Sequence, residues 1–333
     1  RVRRQRQMCI RDRYCEAAQF IIEDNPEFME RALNIPKEIG DRIRASWDAD
    51  ELSLYGRFDF ILAKDGTPKI LEFNADTPTS LLEASVIQWQ WKEDVFPECD
   101  QFNGIHEGLV QSWKDIFPKK GEIYFAGALE NNEDTGTLQY LASTAMEAGF
   151  STRVLDMQAL DLQNGRFFDP AGELVNRCFK LYPWEWMVDE SPDGCLAEME
   201  WLEPIWKLVM SNKAILATLY ELFPDSPYVL PCYLSRPRSG LFCKKPVFSR
   251  EGHNVSVVDI RNWEEHVRIA ETEGDYNTGA YVYQEYVEPT VYSGRYPVIG
   301  SWIIGGEAAG IGIRENRMEV TDNLSEFVPH IIG

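Results

Sequence analysis

Two stretches in the first quarter of the chain alternate apolar and polar residues with the period of a β-strand. YGRFDFILA starts at residue 55 and PKILEFNAD at residue 68, and the turn between them carries the dipeptide DG, a typical hairpin signal. Successive side chains of a strand point to opposite faces of the sheet. The pattern therefore predicts a β-hairpin whose buried face carries Phe58, Phe60, Leu71 and Phe73.

Helical periodicity precedes and follows this hairpin. Residues 14–46 are expected to be mostly helical, with a break at Pro26, and helices are also predicted over 81–91 and 135–148. The strand-like runs EIYFAGAL and STRVLDM lie on either side of the last of these helices, which is the order of a βαβ unit.

The second half of the chain changes from helical to strand-like character. Residues 201–223 are predicted to be rich in helix, and strand patterns then dominate as far as residue 316. Gly305-Gly306 is expected to form a tight turn between two of these strands. We interpret the change as the meeting of two lobes between residues 185 and 230.

The charge balance excludes some classes of partner. Acidic residues outnumber basic ones by 54 to 33 in the 333 residues, and the net charge is −21. Nucleic-acid binding requires many Lys and Arg against phosphates, so no nucleic-acid partner is expected, whereas ATP needs only a few local cations. No uncharged apolar run reaches the ~18 residues of a membrane helix, so no membrane partner is expected either.

The first thirteen residues differ from the acidic remainder. RVRRQRQMCIRDR holds six Arg and one Asp. It lacks the serines and the amphipathic pattern of a transit peptide. Residues 1–13 are therefore expected to be a non-native or disordered extension outside the fold.

The cysteines and histidines show no spacing that is typical of a metal or disulfide site. Seven Cys occur without a CxxC pair and four His without an HxxxH pair. An odd number of Cys in a chain of this size is typical of a reducing compartment, so a cytoplasmic location is expected. A metal site would then be built from oxygen atoms, which suits Mg²⁺ better than Zn²⁺.

The polar face of the predicted hairpin carries groups suited to a metal ion and a phosphate. Arg57 and Asp59 lie two apart on the first strand, and Glu72 and Asn74 lie two apart on the second. Carboxylate and amide oxygens suit Mg²⁺, and a guanidinium suits a terminal phosphate. The alternative is a solvated polar face on which Arg57 balances the acids. The threonines that follow the second strand favour a site.

Three further segments are weak signals when each is taken alone. KKPVFSREGHNV (244–255) places lysines before a flexible turn between strands, where backbone N–H groups could surround phosphates, although a surface hairpin has the same pattern. YVYQEYVEP (281–289) is a strand whose end could offer backbone groups to an adenine ring, or a buried strand of a sheet. Lys213 in SNKAIL opens a helical run, where a lysine ordinarily faces solvent.

The order of these features resembles the glutathionylspermidine synthase family, from about residue 14 to the C-terminus. The matching segments are RFDF with EFNAD, SNKAIL, KKPVFSREG, QEYV, and GIGIREN with FVPH. The chain is most similar to the stand-alone members, which lack the amidase domain of the bifunctional enzymes. The resemblance implies an α+β, ATP-grasp-like fold in which two lobes enclose a nucleotide cleft, with a preceding α/β substrate-domain region.

The resemblance also implies how the chain is divided. Residues 14–200 would form an N-terminal α/β region with the metal-binding hairpin, and residues 201–333 the ATP-grasp nucleotide-binding region. The C-terminal strands and the loop 245–252 are expected on one side of the cleft, with the hairpin facing them from the other lobe.

Specific residues are implied by the family's motifs. The Mg²⁺ ligands would be Asp59, Glu72 and Asn74. The catalytic arginines would be Arg57, which contacts the terminal phosphate, and Arg314, which steadies the acyl-phosphate step. The nucleotide would be held by Lys213, Lys245, Glu251, Gly252, Gln284, Val287, Glu319, Val320 and Thr321. The substrate residues would be Thr77, Glu133 and Asp134.

The implied activity is that of an ATP-dependent carboxylate–amine ligase. It would use ATP and Mg²⁺ to join a peptide-like acid to a polyamine or another amino compound through an acyl phosphate, and a homo-oligomer is left open. Leu181 stands where the family's glutathione-binding synthetase has threonine, and leucine supplies no hydroxyl, which counts against glutathione as the acid. The alternative function is a catalytically silent homologue that binds nucleotide or polyamine. The intact pair of carboxylates favours the enzyme.

Overall fold

The computed structural model describes residues 2–250, 252–269, 272, 274, 279–318 and 325–333, with side chains from residue 10 onward. The fold is mixed α/β, with several sheets and helices packed around them. The α-helices are α1 (Val2–Gln19), α2 (Pro26–Arg31), α3 (Lys37–Asp48), α4 (Gln88–Val95), α5 (Ile105–Ile116), α6 (Asn132–Glu147), α7 (Trp184–Glu190), α8 (Pro192–Leu196), α9 (Lys207–Ser211) and α10 (Ile215–Leu222). Among the described residues, no helix is both long and apolar enough to cross a membrane.

The strands form four sheets. They are β1 (Tyr55–Leu62), β2 (Pro68–Asn74), β3 (Glu122–Gly127), β4 (Ser151–Asp156), β5 (Asp161–Gln163), β6 (Arg166–Phe168), β7 (Leu174–Val175), β8 (Arg177–Leu181), β9 (Glu200–Leu202), β10 (Cys232–Tyr233), β11 (Gly240–Pro246), β12 (Ser256–Arg261), β13 (Glu264–Ile269), β14 (Tyr281–Glu285), β15 (Tyr296–Ile304), β16 (Glu307–Asn316) and β17 (Glu326–Val328). The predicted hairpin is β1–β2, and β15 and β16 flank the Gly305-Gly306 turn, so both predictions are confirmed.

The predicted hairpin lies in the same sheet as the C-terminal strands. The strand order is β17-β16-β15-β1-β2, and every pair is antiparallel. The expectation that the hairpin faces the C-terminal strands from another lobe is therefore wrong, and the sheet crosses the division expected at residue 200. The physical reason is that the second edge of β1 carries buried backbone groups that need a partner, and β15 supplies it.

The residues between the hairpin and the C-terminal strands build the other sheets, and two of these have four or five strands. One is parallel, with the order β4-β3-β8-β9, and α6 connects β3 to β4 as the predicted βαβ unit requires. The other is antiparallel, with the order β10-β14-β11-β12-β13. Residues 201–223 are not helical throughout, because β9 includes Trp201 and Leu202 and the helices start at Lys207. Apolar residues of this kind fit a buried strand as well as a helix.

The first described residues are part of a helix that packs on the core. Ile10 is 4% exposed and lies one turn before Tyr14 on the same buried stripe of α1. Arg13 Nη1 donates a hydrogen bond to Ser226 Oγ at 2.5 Å. The expectation that residues 1–13 form an extension outside the fold therefore does not hold for residues 10–13.

The hairpin's apolar face is buried as predicted, except at one residue. Phe58, Phe60 and Phe73 are buried in the larger core cluster, and the rings of Phe58 and Phe73 stack with their centroids 3.9 Å apart. Leu71 is only half-buried, because the pairing of β1 with β2 shifts between Asp59 and Phe60. A β-bulge of this kind breaks the alternation of faces, which the sequence pattern alone does not indicate.

Candidate functional site

The four polar residues of the hairpin lie together on one face, as predicted. Arg57 is opposite Asn74 in the ladder, and Asp59 is opposite Glu72. Arg57 Nε donates to Asp59 Oδ1 at 2.6 Å and Nη2 to Oδ2 at 2.9 Å. Asn74 Nδ2 donates to Asp59 Oδ2 at 3.1 Å and to Glu72 Oε1 at 3.4 Å.

Arg314 joins the hairpin from the C-terminal strand β16. Its Nη2 donates to Asp59 Oδ2 at 2.8 Å, so two guanidinium groups contact one carboxylate whose side chain is 3% exposed. Gly300, which is paired with Asp59 on β15, makes this arrangement possible, because a Cβ there would lie 2.7 Å from Arg57 Cδ. The neighbouring strand β15 thus leaves room for Arg57, and β16 supplies Arg314, the second arginine predicted to be catalytic.

Glu72 is held by Lys213, which lies just before α10. Lys213 Nζ is 2.9 Å from Glu72 Oε2, and it also donates to the carbonyl of Ser249. Burial by itself would raise the pKa of Glu72, but the nearby ammonium groups of Lys213 and Lys245 outweigh it and lower the pKa to about 2. Glu72 is therefore a fully ionised carboxylate at neutral pH.

A cavity of about 90 Å³ extends from these carboxylates between the hairpin and the β11–β14 sheet. Lys245 Nζ donates to Gln284 Oε1 at 2.7 Å, and Gln284 Nε2 donates to the carbonyl of Ile70 at 3.0 Å. The described residues predicted to hold the nucleotide all line this cavity, namely Lys213, Lys245, Gly252, Gln284 and Val287. Glu251, Glu319, Val320 and Thr321 lie outside the described residues.

A second cavity, of about 180 Å³, opens on the other side of Glu72. Its lining includes the three predicted substrate residues, Thr77, Glu133 and Asp134, together with both arginines of the hairpin site. Glu133 and Asp134 lie in the first turn of α6, where the side chain of Asn131 accepts a hydrogen bond from the Glu133 N–H at 2.9 Å. The structure therefore brings the metal, phosphate and substrate sets predicted from the sequence into one cleft.

The opposite wall of this second cavity comes from the end of β8 and from α7. Leu181, Tyr182, Pro183 and Trp186 line it. The rings of Tyr182 and Trp186 meet edge to face with centroids 5.4 Å apart. The residue at the position of the missing threonine, Leu181, thus contributes an apolar side chain to the cleft.

Two groups at the site were missed in the sequence. Arg250 lines the second cavity, and its Nε donates to Glu185 Oε1 at 3.0 Å. It lies in the SREG turn, so this motif could have identified it as a site residue. Asp76 accepts hydrogen bonds from Lys180 Nζ at 2.7 Å and from the Trp184 N–H at 2.9 Å, which anchors the end of the hairpin to α7. No pattern in the sequence pairs Asp76 with a lysine 104 residues away.

Comparison with known proteins gives the same family as the order of motifs in the sequence. The family model described as glutathionylspermidine synthase preATP-grasp matches residues 4–333. The chain belongs to the glutathionylspermidine synthase family. A Haemophilus influenzae protein named as an acid–amine ligase is 39% identical over 303 residues, which cover 86% of this chain and 77% of that protein.

More distant family members are longer than this chain. The trypanothione synthetase of Crithidia fasciculata is 28% identical, and the bifunctional glutathionylspermidine synthetase/amidase of Escherichia coli is 26% identical, each over 96% of this chain. The chain spans only 53% and 55% of these two proteins. The names of all three relatives agree with the enzyme class predicted from the sequence, a ligase that joins an acid to an amine.

Solved structures support the fold. A glutathione synthetase-like effector from Globodera pallida, in its apo form, superposes with a TM-score of 0.60 at 11% identity and covers 98% of this chain and 85% of its own. A γ-glutamylcysteine synthetase from Methylobacillus flagellatus superposes with a TM-score of 0.56 at 9% identity, over 97% of this chain and 87% of its own. At these identities the likeness extends to the mixed α/β fold alone.

Proposed function

We propose that the protein is an ATP-dependent carboxylate–amine ligase that makes an amide bond. The observation that carries this proposal is the position of Glu72, whose side chain lines both the 90 Å³ cavity and the 180 Å³ cavity. A nucleotide in the first cavity and a carboxylic acid in the second would meet at this residue and at Arg57. Transfer of a phosphoryl group requires such a junction.

The first cavity is proposed to hold ATP in an ATP-grasp-like cleft. The side chains of Lys213 and Lys245 supply positive charge for phosphates, and both are largely buried, so solvent screens their charge little. Gln284 lies near the end of β14 and Val287 two residues beyond it, and both line this cavity on the side proposed for the base. The four predicted nucleotide residues outside the described part of the chain remain proposals on the family's motif alone.

The donor set of the hairpin fits a divalent cation such as Mg²⁺. Asp59 and Glu72 offer carboxylate oxygens, and Asn74 offers an amide whose oxygen and nitrogen exchange places on a half-turn of the side chain. Within the described residues, these three side chains are bound by other side chains, namely two arginines, a lysine and one another, so a metal ion can replace these contacts without breaking a strand. When bound, the ion supplies positive charge against the phosphates of ATP.

The reaction balances in two steps. In the first, an oxygen of the acid's carboxylate bonds to the γ-phosphorus while the bond to ADP breaks. In the second, the amine nitrogen bonds to the carbonyl carbon, phosphate leaves with the former carboxylate oxygen, and the nitrogen loses a proton. Arg57 and Arg314 would neutralise the phosphoryl oxygens and orient the acid.

The two substrates are proposed to occupy opposite parts of the second cavity. The amine, a polyamine or another amino compound, would bind at Glu133 and Asp134, whose carboxylates would attract its positive charge. The acid, a peptide-like carboxylate, would lie near Thr77 and the arginines, with its chain against Leu181. An apolar side chain at this point favours acids other than glutathione.

The test is to incubate the protein with ATP, Mg²⁺ and panels of short peptide acids and polyamines. We expect release of ADP only when an acid and an amine are both present, and a product whose mass equals their sum minus water. A catalytically silent homologue that binds nucleotide or polyamine is the alternative function, and binding of ATP without ADP release for every pair would favour it. The cytoplasmic location and a homo-oligomeric state stay predictions.

A further inference from the structure

The two strands of the metal hairpin diverge just beyond the proposed ligands. The last paired residues of the β1–β2 ladder are Arg57 and Asn74. Beyond them, Tyr55 pairs with Ile304 of β15, while the chain after Asn74 turns away toward α7. Among the described residues, no ladder pair therefore fixes the separation of the two strands at this end. We name this end the hairpin base and define it as Leu54, Tyr55 and Ala75.

A single buried ammonium group bridges the hairpin base. Lys207, at the start of α9, donates from Nζ to the carbonyl of Tyr55 at 3.0 Å and to the carbonyl of Ala75 at 2.8 Å. Two carbonyl groups cannot bond to each other, so the lysine supplies the donor that a ladder would otherwise provide. The residue is 2% exposed, and its Nζ also lies 5.2 Å from the ring centroid of Phe73.

Glu203 supplies the counter-charge and holds the other backbone groups of the base. Its Oε2 lies 3.4 Å from Lys207 Nζ and accepts a hydrogen bond from Ser53 Oγ at 2.5 Å. Its Oε1 accepts from the N–H groups of Leu54 at 3.0 Å and Tyr55 at 3.1 Å. The pair therefore fixes both the N–H and the C=O of Tyr55, two residues before Arg57.

We propose that Lys207, with Glu203, is a positioning pair that sets the spacing of the metal hairpin and thereby the cation affinity of the cleft. Ala75 is adjacent to Asn74, and Tyr55 is two residues from Arg57, so the ammonium fixes the proposed ligand Asn74 on one strand relative to Arg57 on the other. Neither side chain lines the proposed substrate or nucleotide cavity. The identity of the cation rests on the proposed function, whereas the effect on hairpin spacing does not.

The test compares three variants with the wild-type protein. Lys207→Met removes the bridge and leaves Glu203 buried without its cation. The double variant E203Q/K207M removes both charges, which is usually far less destabilising than removing one. Lys92→Met is the matched control, because Lys92 is a 4%-exposed lysine that pairs with Glu93 at a distance from the hairpin.

Two measurements distinguish a positioning role from a purely structural role, and a third gives the stability against which they are compared. Amide hydrogen exchange, without any ligand, reports opening at Arg57 and Asn74 relative to the Ile299–Ile313 pair of the same sheet. Titration with Mn²⁺ in the presence of a non-hydrolysable ATP analogue reports cation affinity. Chemical denaturation gives the stability of each variant.

We expect K207M and the double variant to show at least tenfold faster exchange at Arg57 and Asn74 than at the reference pair. We also expect both to bind Mn²⁺ about 10- to 100-fold more weakly, as for other residues that orient metal ligands. The double variant should regain most of the lost stability without regaining Mn²⁺ affinity. K92M should change neither the relative exchange at Arg57 and Asn74 nor the Mn²⁺ affinity.

The positioning role is overturned if exchange at Arg57 and Asn74 rises no more than at the reference pair. It is also overturned if affinity returns together with stability in the double variant. A wild-type protein that binds neither Mn²⁺ nor the nucleotide analogue would refute the proposed function. The ligand-free exchange comparison would still decide whether Lys207 sets the hairpin spacing.

Discussion

Two pairs of carboxylates lie in the hairpin or against its ends, and they differ in what binds them. Asp59 and Glu72 face the cleft, and their partners among the described residues are side chains: arginines, a lysine and the amide of Asn74. Asp76 and Glu203 accept hydrogen bonds from backbone N–H groups, and each also forms an ion pair with a buried lysine.

The same difference appears in exposure and in pKa. The side chain of Glu72 is 24% exposed, and its pKa is lowered to about 2 because nearby cations outweigh its burial. Glu203 is fully buried, and burial raises its pKa despite Lys207. A carboxylate bound by side chains can exchange them for a metal ion, whereas one bound by the backbone cannot do so without local unfolding. The kind of partner, side chain or backbone, thus distinguishes the proposed reactive carboxylates from the structural ones.

The largest effect expected from this comparison is the loss of activity in Glu72→Gln. The variant keeps one acceptor oxygen but removes the charge that a divalent ion requires, so product formation should fall about 100-fold or more. Raising Mg²⁺ should restore part of the rate, as measured by ADP release. Glu288→Gln, in an exposed ion pair with Lys64, is the control and should leave the rate unchanged. An unaltered Mg²⁺ requirement in Glu72→Gln would remove this residue from the site.

Replacement of Glu203 by Gln should instead act on stability. It leaves Lys207 buried without a counter-charge, and we expect the free energy of unfolding to fall by about 3–5 kcal/mol. Denaturant titration measures this. The control is Glu200→Gln on β9, the strand that ends just before Glu203, and its exposed ion pair with Arg177 should be worth less than about 1 kcal/mol. Equal losses in the two variants would contradict the distinction between the carboxylates.

Gly300→Ala tests whether the arginines of the cleft depend on the neighbouring strand. The new methyl group would lie 2.7 Å from Arg57 Cδ, so the guanidinium must move away from Asp59. We expect activity to fall about 10- to 100-fold, since small displacements of positioning groups are costly. Gly104→Ala, whose Cβ meets its nearest atom at an ordinary 3.6 Å, is the matched control. Full activity in Gly300→Ala would show that Arg57 does not need its present position.

The smallest expected effect is a dependence of stability on pH. Because the folded pKa of Glu72, about 2, lies below its ordinary value of 4.5, its contribution to stability is complete above pH 4.5 and is lost as the pH falls toward 2. Unfolding of metal-free protein at pH 2 to 6, compared with Glu72→Gln, measures this contribution. Lys213→Met should raise the pKa of Glu72, which a carboxyl NMR titration would detect. An unchanged pKa would mean that Lys213 does not hold Glu72.

The hairpin could be predicted from the sequence in detail, and its partners could not. Alternation and a DG turn were enough to place Arg57, Asp59, Glu72 and Asn74 on one face, because a two-strand register depends on local residues. The bulge that turns Leu71 toward the nucleotide cavity is not encoded by alternation. The pairing of β1 with β15 joins residues more than 200 positions apart, and no local pattern specifies such a contact.

The candidate site could likewise be predicted where its residues lie in short motifs, but not where they depend on distant partners. Residues in short motifs, such as Lys213 and Gln284, were assigned to the site by the resemblance, and both line one cavity, while their roles stay predictions. Arg250 was overlooked although it lies within a recognised motif, because its partner Glu185 comes from a distant helix. Lys207 and Glu203 were missed because a buried charge cannot be told from an exposed one by residue type alone.

The placement of β1 between β2 and β15 has a consequence for synthesis. Asp59 and Arg314 are 255 residues apart in the chain, so the second arginine of the cleft is made long after the first carboxylate. At roughly 5–20 residues per second, a ribosome needs on the order of 10–50 s to cover that interval. During this time one edge of β1 has no partner, and exposed strand edges promote aggregation. The cleft is therefore among the last parts of the protein to assemble. A chain that stops before β15 would lack a site although every hairpin residue is present.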